Sequence, residues 1–362
     1  RLIFPAIERE VRNHLTELAQ ERAINVFGEN IKNLLLQPPL KGKVVMGFDP
    51  GYVNGCKIAV VDASGKFLDE AIVYPHKPQS KTEQAKKILK KLIETYKIDV
   101  IAIGNGTASR ESETLISELI KELGVNTQYI IVNEAGASIY SASELAAEEH
   151  PDINVSIRGA ISIGRRLQDS LSELVKIDPE SIGVGQYQHD LNKKRLKEVL
   201  DGVVEDSVNK VGLDLNTASH SLLEHIAGVS KTVAKNIIVY REENGPFKSR
   251  NELKKVKRLG PSAFVQCAGF MRIENGKNPL DNTGVHPESY DICKKMLEIL
   301  GYSLDDVKNK NISDIDERIE NIGLKNLSEK LNVGEVTLKD IILEIKKPGR
   351  DPREEDGMKP IL

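Results

Sequence analysis

The sequence has 362 residues, is 40% hydrophobic and 29% charged, and carries a formal net charge of −3. That length suggests two or three domains with real cores, and no apolar run approaches the ~20 residues of a membrane span. Three widely spaced cysteines, Cys56, Cys267 and Cys293, form no CxxC pair. This argues against a zinc site or a disulfide framework and for a reducing, cytoplasmic setting. The charge is uneven: Ser219 to Ile273 holds ten Lys or Arg against four Asp or Glu, a local +6 that leaves −9 for the rest. Arg1 opens the sequence inside a helical pattern with no signal peptide, so a piece of a longer protein is expected.

In chain order, apolar residues at three- and four-residue steps (Ile7, Val11, Leu15, Leu18, Ile31, Leu34, Leu35) predict a helix over 6–36, ended by Pro38 and Pro39. From residue 44 the period shortens. "VVMGFD", "KIAVVD" and "KFLDEAIVY" read as three meandering strands. An amphipathic helix over 80–96 follows, with Ser80 as its N-cap. Then come the strand "IDVIAIGNG", a helix over 109–122, the strand "TQYIIVNE", and helices over about 135–149 and 158–174. This order predicts a mixed sheet with helices on its faces. Pro179, Gly183 and Gly185 punctuate a boundary, and "NKKRLKEVLDGVVEDSVNKVG" reads as a long helix. After Asn275 short helices and loops lead to a polar, linker-like end. The expected division is 1–42 helical, 43–177 α/β, 178–211 connecting, 212–274 basic and helical, 275–345 helical and 346–362 linker.

Two kinds of site stand out. Asp49 ends the first strand, Glu134 ends "QYIIVN", and Asp169 lies in the helix "GRRLQDSL". If they converge, three carboxylates make a hard oxygen site for Mg²⁺ or Mn²⁺, the chemistry of phosphodiester cleavage. Equally, Glu134 could favour a helix N-terminus and Asp169 could pair with Arg165 or Arg166. The loop "GNGTASRE" offers Gly104, Gly106 and a helix start that could hold a phosphate, or it is only a tight turn.

The second site is the basic region. "IAGVSKTVA" and "VKRLGPSAF" are two helix–turn–helix units offset by thirty residues, Ile226 on Val256 and Val229 on Leu259. These units resemble helix-hairpin-helix turns, and the resemblance implies that their backbone N–H groups and the following helix start face a phosphate, with nearby cations adding a salt-sensitive attraction. The candidate contacts are Gly228, Val229, Ser230, Lys231 and Lys235 in the first unit. Lys254, Lys255, Lys257, Arg258 and Gly260 are those of the second. The alternative is that the hairpins are only packing units, with Phe247 anchoring the turn at Gly245 and Pro246 and with Lys248 and Arg250 merely solvated. Few aromatics and no Trp leave a base-stacking surface without support.

These residues carry a family resemblance. "GFDPGYVNGCKIAVVDASGKFLDEAIVYPH", "NEAGASIYSASELAA", "RGAISIGRRLQD" and "KIDPESIGVGQYQHD" resemble the Tex family of bacterial transcription accessory proteins, over essentially the whole chain. "GFDPG" and the strand order resemble the YqgF and Holliday-junction resolvase branch of the RNase H-like fold. Carried over by position, that fold's metal carboxylates would be Asp49, Glu134 and Asp169. The basic region resembles a tandem helix-hairpin-helix domain of the DNA-uptake-protein type, whose turn runs glycine–apolar–glycine. Here Ser230 and Arg258 stand at two of the four glycine places. The resemblance implies sequence-independent binding of an RNA or DNA backbone, needing no cofactor, with transcription machinery as a possible partner and no membrane. Its rivals are a nuclease dependent on Mg²⁺ or Mn²⁺ and a protein-interaction scaffold. It also implies an OB-fold RNA-binding domain beyond "KPGRDPR".

Overall fold

Short apolar runs, buried along nearly their whole length in the central strands, set the first unit. A computed structural model describes residues 3–354 apart from Val184, Gln186, Tyr187 and Arg350. The chain divides into two units: residues up to Val204 together with the segment from Arg353, and Glu205–Pro352. In the first unit, β1 (Val45–Asp49), β2 (Cys56–Val61), β3 (Phe67–Val73), β4 (Val100–Gly104) and β5 (Gln128–Val132) form one sheet in the order β3-β2-β1-β4-β5. β1 pairs antiparallel with β2 and parallel with β4, so the sheet is mixed as the sequence predicts. Met46, Phe48, Ile101 and Ile103 face α2 (Thr82–Tyr96) and α3 (Ser109–Leu123). Val45, Ala59, Val61 and Ala102 face α6 (Val155–Gln168). The period-two pattern thus buries both faces of the central strands.

α6 lies on β1 because Gly47 has no side chain: a Cβ there would overlap the Ala160 carbonyl oxygen. This close approach brings α6 across the strand that ends in Asp49. α4 (Ala137–Ser141) and α5 (Glu144–Glu149) replace the single helix expected over 135–149, with Ser143 capping the second. The helix expected over 158–174 also breaks, at Asp169, into α6 and α7 (Ser170–Leu174). Asp169 is extended (φ −154°, ψ 100°) and its side chain accepts from the Ser172 N–H, so a capping carboxylate ends one helix and begins the next. Ser80 is not the cap of α2; it has a positive φ, and Lys81 occupies the N-cap place.

α1 (Ile3–Leu35) matches the predicted helix, but only its C-terminal third is packed. Ile24, Phe27, Ile31 and Leu35 are buried, whereas Ile7, Val11, Leu15 and Leu18 are exposed. α8 (Lys193–Val211) carries the chain onward into the second unit.

The second unit begins with a pairing that closes its first part. β6 (Leu213–Asp214) and β7 (Met271–Arg272) pair in parallel, joining the two ends of a helical stretch. Between them lie α9 (His220–Leu223), α10 (Lys231–Asn244), a 3₁₀ turn over Arg250–Lys255, and α11 (Pro261–Cys267). Asn216 fastens "NGPF" by accepting from Phe247 N–H and donating to its carbonyl, while Phe247 stacks on Tyr240 at 4.9 Å. α12 (Tyr290–Leu300), α13 (Leu304–Lys308), α14 (Ile315–Ile322), α15 (Leu324–Leu331) and α16 (Glu335–Lys346) follow around their own core, which includes Cys293, Met296, Leu297, Leu327, Leu338 and Ile345.

Candidate nucleic-acid interface and the carboxylate cleft

The thirty-residue offset is written into the backbone. Gly228 and Arg258 both adopt the left-handed conformation, with φ of +80° and +67°. Val229 and Leu259, next in line, are buried, and each donates its N–H three residues back, to Ile226 and Val256. Ser230 and Gly260 then take near-identical extended N-cap angles ahead of α10 and α11. Ser230 spends its hydroxyl on the Val233 N–H, at 3.3 Å. Gly260 has no side chain with which to cap its helix. The missing glycine at 258 therefore did not change the turn; arginine holds the glycine conformation, at a cost of about 1–2 kcal/mol.

Each turn packs on the second helix of the other unit. A Cβ at Gly228 would stand 2.8 Å from the Gln266 side chain and 3.2 Å from the Ala263 carbonyl. Asn236 of α10 donates to the Lys257 carbonyl at 2.6 Å. Lys231, Lys235, Lys254, Lys255, Lys257 and Arg258 are all exposed. Lys254 rests its ammonium over the Phe264 ring at 4.7 Å, so it is partly held in place. Lys231 stands 3.8 Å from Glu224, which also receives His220 at 2.7 Å.

Arg250 corrects the expectation of a solvated cation. It is 1% exposed. Its guanidinium donates to the carbonyls of Met271, Val285 and Thr283 and to the Tyr290 hydroxyl, while Tyr290 donates to Asp281 at 2.7 Å. It binds the end of the hairpin region to the helices that follow. The next-door Lys248 remains exposed.

The first unit presents an open cleft of about 370 Å³, lined by Asp49, Asn54, Lys57, Glu134, Ser138 and Ser156 among others. Asp49 and Glu134 are brought together there, and Lys57 lies opposite Asp49 across β1 and β2. Burial pushes the Asp49 carboxyl up to about 6, with the Lys57 charge pulling it down and Glu134 raising it further. Burial also raises Glu134, against the Gly106 N–H, Arg166 and Lys57. A Cβ at Gly104 or Gly106 would overlap the Glu134 carboxylate. The anion held in the "GNGTASRE" loop is therefore Glu134 itself, where a phosphate was one expectation. The N-cap of α3 is Ala108, with positive φ and no side-chain cap.

Asp169 does not line this cleft. Its two oxygens take the guanidinium of Arg353 at 2.7 and 3.2 Å. The alternative partner Arg166 instead donates to the carbonyls of Asn133 and Ala135, on either side of Glu134. Among the described residues, no group of three or more His, Cys, Asp and Glu side chains could hold a metal ion. Two carboxylates beside an ammonium do not fit the three-acid oxygen site that the resemblance implied.

Three family profiles match in succession: Tex protein YqgF-like domain over residues 43–168, helix-hairpin-helix motif over 208–272, and HHH domain over 278–353. The uncharacterized protein YdcI of Bacillus subtilis (strain 168) is 52% identical over the whole chain, which covers 50% of that protein. Transcriptional accessory protein Tex of Neisseria gonorrhoeae is 51% identical over 97% of the chain and 45% of the relative. The chain belongs to the Tex family. Human S1 RNA-binding domain-containing protein 1 is 40% identical over 96% of the chain, which covers 40% of it. The chain thus spans about half the length of the curated Tex relatives it matches, or less.

The HHH domain at 278–353 was missed as such in the sequence, and the Tex fold shows why it could have been found. Gly301 and Asn332 are again left-handed, with φ of +78° and +51°. Each is followed by an apolar residue (Tyr302, Val333) and an extended N-cap (Ser303, Gly334). "LGYSLDD" and "LNVGEV" repeat the first pair's turn at a spacing of thirty-one. Their helices open on Asp305, Asp306 and Glu335, whereas α10 opens on Lys231 and neither α10 nor α11 has an acid in its first turn. The second pair therefore lacks the electrostatics that suit phosphate.

Proposed function

We propose that this chain binds nucleic-acid backbone without reading sequence, as part of a transcription-linked factor. The observation that carries the reading is the pair of matched turns at Gly228–Ser230 and Arg258–Gly260, packed together and surrounded by exposed cations. Backbone phosphates are recognised by such helix starts and by Lys and Arg, and these contacts carry no base information. RNA and DNA backbones both suit this chemistry. The name of the Neisseria relative supports a transcriptional setting, and that of the human relative supports RNA binding by the larger protein. Docking on transcription machinery would belong to the same setting.

Cleavage at the Asp49–Glu134 cleft is the weaker reading. Lys57 of β2 stands directly opposite Asp49, and Asp169 is committed to Arg353. The test of the binding reading is competition among unrelated duplexes and single strands of equal length. Affinities within a few-fold of each other are expected. A preference of a hundredfold or more for one sequence contradicts backbone-only recognition.

A further inference from the structure

Asp169 and Arg353 form a contact that neither the proposed binding surface nor the carboxylate cleft uses. Arg353 lies 184 residues beyond Asp169, in the segment that belongs to the first unit after the excursion through Glu205–Pro352. Its side chain is 4% exposed, against 32% for that of Asp169, and the pair is bidentate, at 2.7 and 3.2 Å. A planar guanidinium on a carboxylate in this fork geometry fixes direction as well as charge. Lys41 adds a second, more exposed tie to Glu354 at 3.3 Å.

Local structure around Asp169 is arranged for this contact. The sequence "GRRLQDSLSEL" has no proline, and no glycine near the break, yet the helix stops at Gln168 and restarts at Ser170. The extended Asp169 between them caps α7 with one oxygen that also receives Arg353. A helical Asp169 would have no free capping role, and α6 would run into α7 without presenting the acid. The break is stabilised from both sides, by the Ser172 N–H and by the arginine.

We infer that Asp169 is a docking acid, and that Arg353 clasps the returning chain onto the YqgF-like unit. The chain re-enters the YqgF-like unit at Arg353, and this clasp holds the returning segment there. The carboxylate that resemblance assigned to a metal ion serves chain connectivity instead. The occupant of the site is this chain's own arginine.

Amide hydrogen exchange on the 362-residue chain tests the inference. Asp169→Asn keeps an oxygen to cap Ser172 but removes the charge. Arg353→Gln leaves Asp169 intact. Each is expected to speed exchange at Arg353 and Glu354 by at least tenfold, with α6 and α7 still protected and with nucleic-acid affinity unchanged. Unchanged exchange at 353 and 354 in both single variants overturns the clasp. Should Asp169→Asn also expose α6 and α7, Arg353→Gln alone decides: faster exchange confined to 353 and 354 supports the clasp, and unchanged exchange refutes it.

Discussion

Replacing Arg258 with glycine separates two consequences of that residue. Its φ of +67° lies in the left-handed region, where an L-residue costs about 1–2 kcal/mol. Glycine removes that cost but loosens the unfolded chain, an opposing effect of roughly 0.4–1 kcal/mol. The folded second unit should therefore be unchanged or steadier by up to about 1.5 kcal/mol. Binding should move the other way. The variant loses one exposed cation beside the turn, so the slope of log affinity against log salt becomes shallower by about 0.9 for duplex DNA. Between about 50 and 200 mM salt, the advantage of the parent over the variant should shrink roughly 3–4-fold. Arg258→Ala is the control, because it loses the same charge and keeps the backbone strain. Urea denaturation reads the stability, and fluorescence anisotropy on a mixed-sequence duplex reads the affinity. Destabilisation of Arg258→Gly by more than about 1 kcal/mol, or an unchanged salt slope, refutes the reasoning.

Gly228→Ala meets both positive φ and the Gln266 side chain at 2.8 Å, so a loss on the order of 2–4 kcal/mol is expected in denaturant melts; a loss under about 0.5 kcal/mol contradicts the packing of the two turns. Arg250→Met leaves the carbonyls of Met271, Val285 and Thr283 without their buried donor, and should cost more than about 3 kcal/mol by the same measurement. Asp49 is pushed up to about 6 by burial, above the ~3.9 of an unfolded chain. Its contribution is therefore full below about pH 4 and is lost as pH rises through about 6. Asp49→Asn should then exceed the parent in stability by about 3 kcal/mol above pH 7, with the gap closing toward pH 4, in melts with chelator present. A gap independent of pH contradicts the burial assigned to that carboxyl.

Much of this was legible because local chemistry and fold agree. The strands announced themselves as short apolar runs bounded by turn residues, and a mixed sheet followed from a meander plus alternating helices. The hairpin register was readable because Ile226 and Val256 carry the same apolar spacing, and the backbone angles at Gly228 and Arg258 repeat it. What escaped depended on partners far away in sequence. Arg250 looks like any surface cation in "FKSRNEL", and only Val285, Thr283 and Tyr290, more than thirty residues on, make it a buried hub. Asp169 reads as a mid-helix acid, and its break depends on Arg353 as well as on its own capping oxygen. Gly104 and Gly106 signal close backbone approach, but not that the approaching anion is Glu134.

The most direct test of the backbone-binding account is a salt titration of affinity for two unrelated duplexes, comparing the parent chain with a variant in which Lys231, Lys235, Lys257 and Arg258 are all alanine. The account predicts a slope shallower by about 3–4 in the variant, one unit per lost phosphate contact, and the same change on both duplexes. An affinity and slope that the four substitutions leave untouched would contradict it.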